Sequence, residues 1–252
     1  MSVPIEYWWS KYIRALYILS RTYRTGVEFT KEQSSDAMKC FVISITRLLP
    51  DQQEVKRRFM NFITMNREAS STLLQALPRF FSVFPNYAKA IQEDSAHFLS
   101  IVSFSSDSMF IWVYLFEAYI LASYNLHAKI PSLNDRKKEF EPSILSKYDW
   151  GNPLWFIIHM SAMYAPQPLV TSFEDYKSLL NCLQYLLPCP KCRDHLRVNL
   201  TKINLDRCAK TNDDLFKCSV DLHNIVNKSK DKPTPEMSYE DARKVYTFTS
   251  SS

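Results

Sequence analysis

Apolar residues recur at helical spacing through the last hundred residues of the chain, and the pattern predicts four helices there. Trp155, His159, Ala162 and Met163 share one face of a first helix, in which Pro153 suits the first turn. A second helix is predicted to open near Ser172, with Glu174 and Asp175 in its first turn and a stripe of Phe173, Tyr176, Leu179, Leu180, Leu183 and Leu187. The third starts at a cysteine pair and runs through "CRDHLRVNL". The fourth opens at Asn212, where Asp213 and Asp214 favour a helix N-terminus, and continues through "LFKCSVDLHNIVNKS".

Upstream the pattern changes. "PSLNDRKKEFEPSILSK" (131–147) is polar, flanked by proline and without an apolar period, and reads as a linker with a boundary near Ser146. It divides the chain into residues 1–145 and residues 146–252. Within the first part, "SMFIWVYLFEAYILASYNL" (Ser108 to Leu126) is about long enough to span a bilayer. Glu117 lies at its centre, and an intramembrane charge costs roughly 2.5–3.5 kcal/mol, so a buried or interdomain helix is the preferred reading and no stable membrane insertion is expected.

The two parts also resemble each other. "KCFVISITRLLPDQQEVKRRFMNF" (Lys39 to Phe62) overlays "KSLLNCLQYLLPCPKCRDHLRVNL" (Lys177 to Leu200), with Leu48-Leu49-Pro50 on Leu186-Leu187-Pro188, Asp51 and Glu54 on the cysteine pair, and Arg21 on His159. "EYWWSKYIRALYILSRTY" loosely echoes "YDWGNPLWFIIHMSAMY" as an aromatic-rich opening helix. The first part reads as a decayed, non-catalytic copy of the second. Two amphipathic helices that both stop at Leu-Leu-Pro would look alike without common descent, so that reading also stands.

Composition sharpens the fold class. The 252 residues are 46% hydrophobic and 14% aromatic, the balance of a folded chain, and only "TFTSSS" at the end looks loose. Just two glycines occur, Gly26 and Gly151, against about 7% in average proteins. Glycine-rich phosphate loops and the dinucleotide fingerprint are thereby excluded, and an all-helical architecture is favoured over turn-rich β structure. The net charge of +5 comes from 31 basic and 26 acidic residues that are interspersed, and no nucleic-acid-reading motif accompanies them. The N-terminus lacks the order of a signal peptide.

Chemistry concentrates around "LLPCPKCRDHL" (Leu186 to Leu196). Cys189, Cys192, His195 and His223 are zinc-ligand types, yet structural sites normally use two compact ligand pairs. A thioredoxin-type site needs a strand before its Cys-x-x-Cys, whereas the residues before Cys189 read as helix. Redox chemistry survives, because a cysteine pair at a helix start gains thiolate stabilisation from free N–H groups, aided by Lys191 and Arg193. A purely structural pair also remains open. Further along, "HNIVN" sets His223 and Asn227 four residues apart on one helix face, as Trp155 and His159 are on another. Such faces, converging, would suit a flat polar heteroaromatic cofactor, although each histidine singly is as well read as a satisfied structural residue.

Together "WGNPLWFIIHMSAMY", "LPCPKCRDH" and "HNIVNKSKDKP", in this order and spacing, resemble the Erv/ALR family of FAD-linked sulfhydryl oxidases over roughly residues 148–240. The divergent helical first part and the "MSYEDARKVY" tail look most like the long viral members of baculovirus type. The resemblance implies an FAD-binding four-helix bundle with a short fifth helix at 146–252, packed on the helical domain 1–145. It implies a catalytic pair in which Cys189 exchanges with a dithiol protein substrate and Cys192 lies against the flavin, with no metal. Cofactor contacts fall on Trp155, His159, Tyr164, His223, Asn224, Val226, Asn227 and Lys232. The implied reaction forms disulfides in protein substrates and reduces O2 to H2O2, serving viral protein maturation in the virion and in host cytoplasm or nucleus. Family members are usually dimers, so either a homodimer or an internal pseudo-dimer with the first part is implied.

The chain departs from the family in two respects. Thr201 sits where one cysteine of a common structural disulfide falls, leaving Cys208 and Cys218 either to pair with each other or to stay separate thiols. No further short-spaced cysteine pair is present to shuttle electrons, Cys40 stands alone, and Cys182 lies among leucines as a small hydrophobe. The competing reading is a helical interaction protein with a structural or zinc-bound Cys-x-x-Cys.

Overall fold

The computed structural model describes residues 5–22, 31–48, 132–141, 146–229 and 234–246, with isolated helical positions at 57, 61, 110, 113, 114 and 117. Among the described residues all regular structure is helical. The elements are α1 (Ile5–Thr22), α2 (Lys31–Leu48), α3 (Leu133–Glu139), α4 (Lys147–Met163), α5 (Leu169–Leu186), α6 (Pro190–Leu200), a 3-10 turn at Leu205–Cys208, α7 (Asn212–Lys228) and α8 (Tyr239–Tyr246).

Local chemistry sets most of the helix ends. Thr211 caps α7, its Oγ1 accepting from the Asp214 N–H at 3.0 Å, so this helix opens at Asn212 as its sequence predicts. The α4 start differs from the expectation. Ser146 donates its backbone N–H to Asp149 Oδ2 at 2.7 Å, which begins the helix at Lys147 and leaves Pro153 in its second turn. Only one intrahelical bond is forfeited there, since proline lacks just its own N–H. The α5 start also comes earlier than the Ser172 expected. Gln167 Oε1 accepts from the Leu169 N–H at 3.0 Å, while the Ser172 hydroxyl donates to the Pro166 carbonyl at 2.6 Å.

Residues 131–147 are not all linker, because α3 lies inside them. Ser132 caps it by accepting from the Asp135 N–H at 3.1 Å, and this local signal outweighs the missing apolar period. What anchors α3 is Arg136. It donates from Nε to Glu117 Oε2 at 3.1 Å and from Nη2 to Glu117 Oε1, while the Tyr17 hydroxyl donates to Oε2 at 2.7 Å. Glu117 is 1% exposed, and Phe140 stacks on Tyr17 with centroids 4.9 Å apart. The charge at the centre of the apolar stretch is thus buried against protein partners. Most of Ser108–Leu126 lies outside the described residues, and no helix among those described is long and apolar enough to cross a membrane.

Helices α1 and α2 pack onto the C-terminal bundle, α1 against α4 and α2 along α5. The Tyr12 hydroxyl meets the Ser161 hydroxyl at 2.6 Å inside the α1–α4 interface, and Arg14 Nη2 reaches Asp149 at 3.2 Å at its edge. Within the bundle α7 packs against α4, and α6 against both α5 and α7. The fully buried Tyr12, Tyr17, Tyr176, Phe41 and Phe216 each contribute roughly 1.5–3 kcal/mol of apolar burial. Residues 49–56 of the expected internal copy, including Asp51 and Glu54, lie outside the described residues.

Candidate active site

The cysteine pair sits where the sequence predicts, at the N-terminus of a helix. Leu187 and Pro188 end the chain's run through α5, Cys189 takes an extended N-cap conformation, and Pro190 occupies the first helical position, where a missing N–H costs nothing. Cys189 Sγ accepts from the Cys192 N–H at 3.2 Å, and the two sulfurs are joined in a disulfide with Cα atoms 5.1 Å apart. Both cysteines are half-buried. With both sulfurs in that bond neither is a thiolate ligand, and among the described residues no group of three or more His, Cys, Asp or Glu could hold a metal ion.

Helices α4 and α7 bring the two histidines together. His159 Nε2 lies 2.9 Å from His223 Nδ1, and His159 Nδ1 lies 2.8 Å from the Ser219 hydroxyl. Proton positions in this chain follow from its far end. The Phe216 carbonyl can only accept, so Ser219, 2.6 Å away, donates its single proton there. The Ser219 oxygen must then accept from His159 Nδ1–H, which leaves Nε2 as the acceptor for His223 Nδ1–H. His159 is fully buried, and burial first, with His223 second, holds its pKa well below the ordinary histidine value. It is a neutral, fixed hydrogen-bond relay.

Aromatic faces complete this corner. The Trp155 and His223 rings stack at 3.8 Å and 9°, and Tyr246 of α8 lies 4.5 Å from His159. A 3.8 Å stack leaves no slot between its members, so a flat ligand would extend it from an outer face.

Residues 152–246 match the model of the Erv1 / Alr family. The match is to this segment, less than half of the chain. The chain is similar, over 85 residues, to a protein of Invertebrate iridescent virus 3 (31% identical) and to one of Acanthamoeba polyphaga mimivirus (33% identical), both named as FAD-linked sulfhydryl oxidases. Each alignment takes in 33% of this chain, and it spans 57% and 59% of the two relatives, less than two thirds of either. No solved structure gives a significant match.

The residues expected to contact a cofactor differ in their placement. Trp155, His159 and His223 meet directly. Val226 is partly buried, and Asn227 is 8% exposed on the same helix as His223. Tyr164 stands half-buried just beyond the end of α4. Asn224 Nδ2 donates to the Met237 carbonyl and its Oδ1 accepts from the Met237 N–H, both at 3.0 Å, so it pins the segment leading to α8. Lys232 lies outside the described residues.

Two members of the site escape the sequence reading. Ser219 is four residues before His223, a spacing that puts it on the histidine face, yet a serine in a helix carries no chemical flag of its own. Tyr246 arrives from a helix more than twenty residues away, and only folding reveals its place on His159.

The donor set fits a flat heteroaromatic group. It offers the parallel ring faces of Trp155 and His223, the imidazoles of His159 and His223, and the Asn227 amide on the same helix as His223.

Proposed function

We propose that the chain is a flavin-dependent sulfhydryl oxidase that makes disulfides in protein dithiols. The observation that carries this reading is the Cys189–Cys192 disulfide at the start of α6, a helix packed against the one that bears His223. The names of the two viral relatives support FAD as the cofactor. Residues suited to hold it are Trp155, His159, His223, Val226 and Asn227, with Tyr164 and Lys232 at the margin by resemblance.

A substrate thiolate attacks Cys189 Sγ, the Cys189–Cys192 bond breaks, and Cys192 departs as a thiolate. Free N–H groups in the first turn of α6 stabilise that leaving group. The second substrate thiolate then attacks the substrate sulfur of the mixed disulfide and releases Cys189. Two electrons and two protons have passed from substrate to the cysteine pair. FAD, when bound, would accept those electrons and return them to dioxygen as hydrogen peroxide.

The N-terminal helices fit the role of an internal partner in place of a second copy. Both α2 and α5 have 18 residues, and the overlay that sets Leu48 on Leu186 also sets Lys31 on Leu169, so the two helices start and stop in register. Virion proteins are the proposed clients, a reading supported by the viral origin of both relatives.

The direct test is spectral and kinetic. Purified protein should be yellow and bleach under anaerobic dithiothreitol, and it should consume oxygen with a dithiol substrate. Cys192→Ser should lose that turnover while keeping its colour. A colourless protein, or a Cys192→Ser protein as active as the parent, would overturn the proposal. An anaerobic trap with Cys192→Ser, followed by identification of proteins held on Cys189, names the clients.

A further inference from the structure

Cys40 and Cys182 are far apart in sequence and belong to different parts of the chain, one to α2 and the other to α5 of the Erv1/Alr segment. Their thiols are nevertheless hydrogen-bond partners of one another. Helix register confirms that this meeting is built into the interface. Arg47 Nη1 pairs with Asp175 Oδ1 at 3.0 Å, and Arg47 is seven residues after Cys40 while Asp175 is seven before Cys182. Seven residues is about two turns, so in an antiparallel pair both contacts fall on one line along the helices. This α2–α5 seam is the most extensive helix pairing among the described residues.

The two sulfurs differ in setting. Cys40 is half-buried, while Cys182 is 6% exposed among leucines. The Cys182 S–H bond to Cys40 brings the Cys40 pKa down to about 7, against the opposing effect of burial, with help from Ser44 and Arg47 and opposition from Asp175. The same hydrogen bond, with burial, pushes the Cys182 thiol up. One is thus an accessible nucleophile and the other a sheltered resolving thiol, the division of labour that a dithiol switch needs.

We propose that Cys40 and Cys182 form a second redox-active pair, which closes into a disulfide stapling the N-terminal helices to the Erv1/Alr segment when a small-molecule disulfide oxidises it. The Cys40 thiolate attacks the small disulfide, giving a mixed disulfide on Cys40 and releasing one thiol. Cys182 then attacks Cys40 Sγ, loses its proton and releases the second thiol. Two protein thiols and one disulfide become one protein disulfide and two small thiols, so the exchange balances without dioxygen or a cofactor.

The test uses the full chain carrying Cys189→Ser and Cys192→Ser, which silences the proposed oxidase, so that failure of the oxidase reading leaves this result untouched. After mild reduction the protein is incubated anaerobically with oxidised glutathione, alkylated and digested with trypsin without reduction. The fragment 40–47 should emerge linked to fragment 178–191, in which Cys182 is then the remaining cysteine. The unsubstituted chain treated alike, with fragmentation to tell Cys182 from Cys189, guards against misfolding of the variant. The linked form should also unfold at a higher temperature than the reduced form, and Cys40→Ser should abolish both effects. Recovery of both fragments alkylated, or of glutathione left on Cys40 without closure, overturns the proposal.

Discussion

His159 Nε2 and His223 Nδ1 stand 2.9 Å apart, and the Ser219–Phe216 hydrogen bond behind them makes His223 the donor. His159 is therefore held neutral, and its folded pKa lies well below the ordinary value near 6.5.

The sign of the pH dependence follows. Above about pH 6.5 both folded and unfolded chains carry a neutral His159, and its contribution to stability is complete. Below that, the unfolded chain gains a proton that the folded chain refuses, so stability falls by up to about 1.4 kcal/mol per pH unit until the folded pKa is reached. Urea midpoints at pH 7.5, 6.5, 5.5 and 5.0 should decline across the last three. His159→Gln should flatten this part of the profile, and an unchanged slope would remove His159 from the account.

Ser219→Ala removes the acceptor of His159 Nδ1–H while keeping the ring in place. An unsatisfied buried N–H costs about 1–3 kcal/mol, and the tautomer preference is lost with it. Equilibrium unfolding should register the loss. Nitrogen chemical shifts of the His159 imidazole should report mixed tautomers in the variant and a single Nδ1–H form in the parent.

The buried triad of Glu117, Arg136 and Tyr17 should respond most strongly where it loses only one charge. Glu117→Gln leaves the Arg136 guanidinium, 16% exposed at its side chain, facing a neutral amide, with only the exposed Glu139 among the described residues still paired to it at 2.6 Å, so the loss approaches that of a broken buried ion pair, about 3–5 kcal/mol. Tyr17→Phe removes one hydrogen bond from a carboxylate that keeps its arginine, so its cost should be nearer 1–2 kcal/mol. Chemical denaturation of the two variants should preserve that order.

The uneven legibility of this chain has physical causes. Helix periodicity, the Leu-Leu-Pro stop and the Cys-x-x-Cys are local signals, and the structure places α6 and α7 where they point. The start of α4 departs from the expectation because Ser146 lies at the end of a stretch whose composition reads as linker and meets its capping partner Asp149 just beyond it. Cys40 looked solitary and Cys182 merely hydrophobic, since a contact between residues 142 positions apart depends on the register of two packed helices. Ser219 and Tyr246 were invisible for the same reason: each acts through a neighbour supplied by tertiary packing.

Asn224 tests that lesson directly. The family resemblance makes it a cofactor contact, whereas its amide here holds the Met237 backbone in both directions. Asn224→Asp keeps an acceptor for the Met237 N–H but sets a charge against the Met237 carbonyl. Asn224→Ala loses both bonds. Either change should release the segment leading to α8 and raise proteolysis there, measured as cleavage between residues 230 and 246 under limiting protease. Unaltered cleavage with weakened flavin retention would return Asn224 to the cofactor.

Cys208 and Cys218 form a disulfide that ties the 3-10 turn to α7, with Cys208 1% exposed. Closing so short a loop restricts the unfolded chain modestly, by about 2–3 kcal/mol on the chain-entropy scale. Double substitution of Cys208 and Cys218 by serine should therefore lower the thermal midpoint by several degrees. The bond lies outside the Cys189–Cys192 exchange, so oxygen uptake per folded molecule at 25 °C should stay within about twofold of the parent. Loss of turnover in protein that circular dichroism shows to be folded would mean that this disulfide takes part in electron transfer.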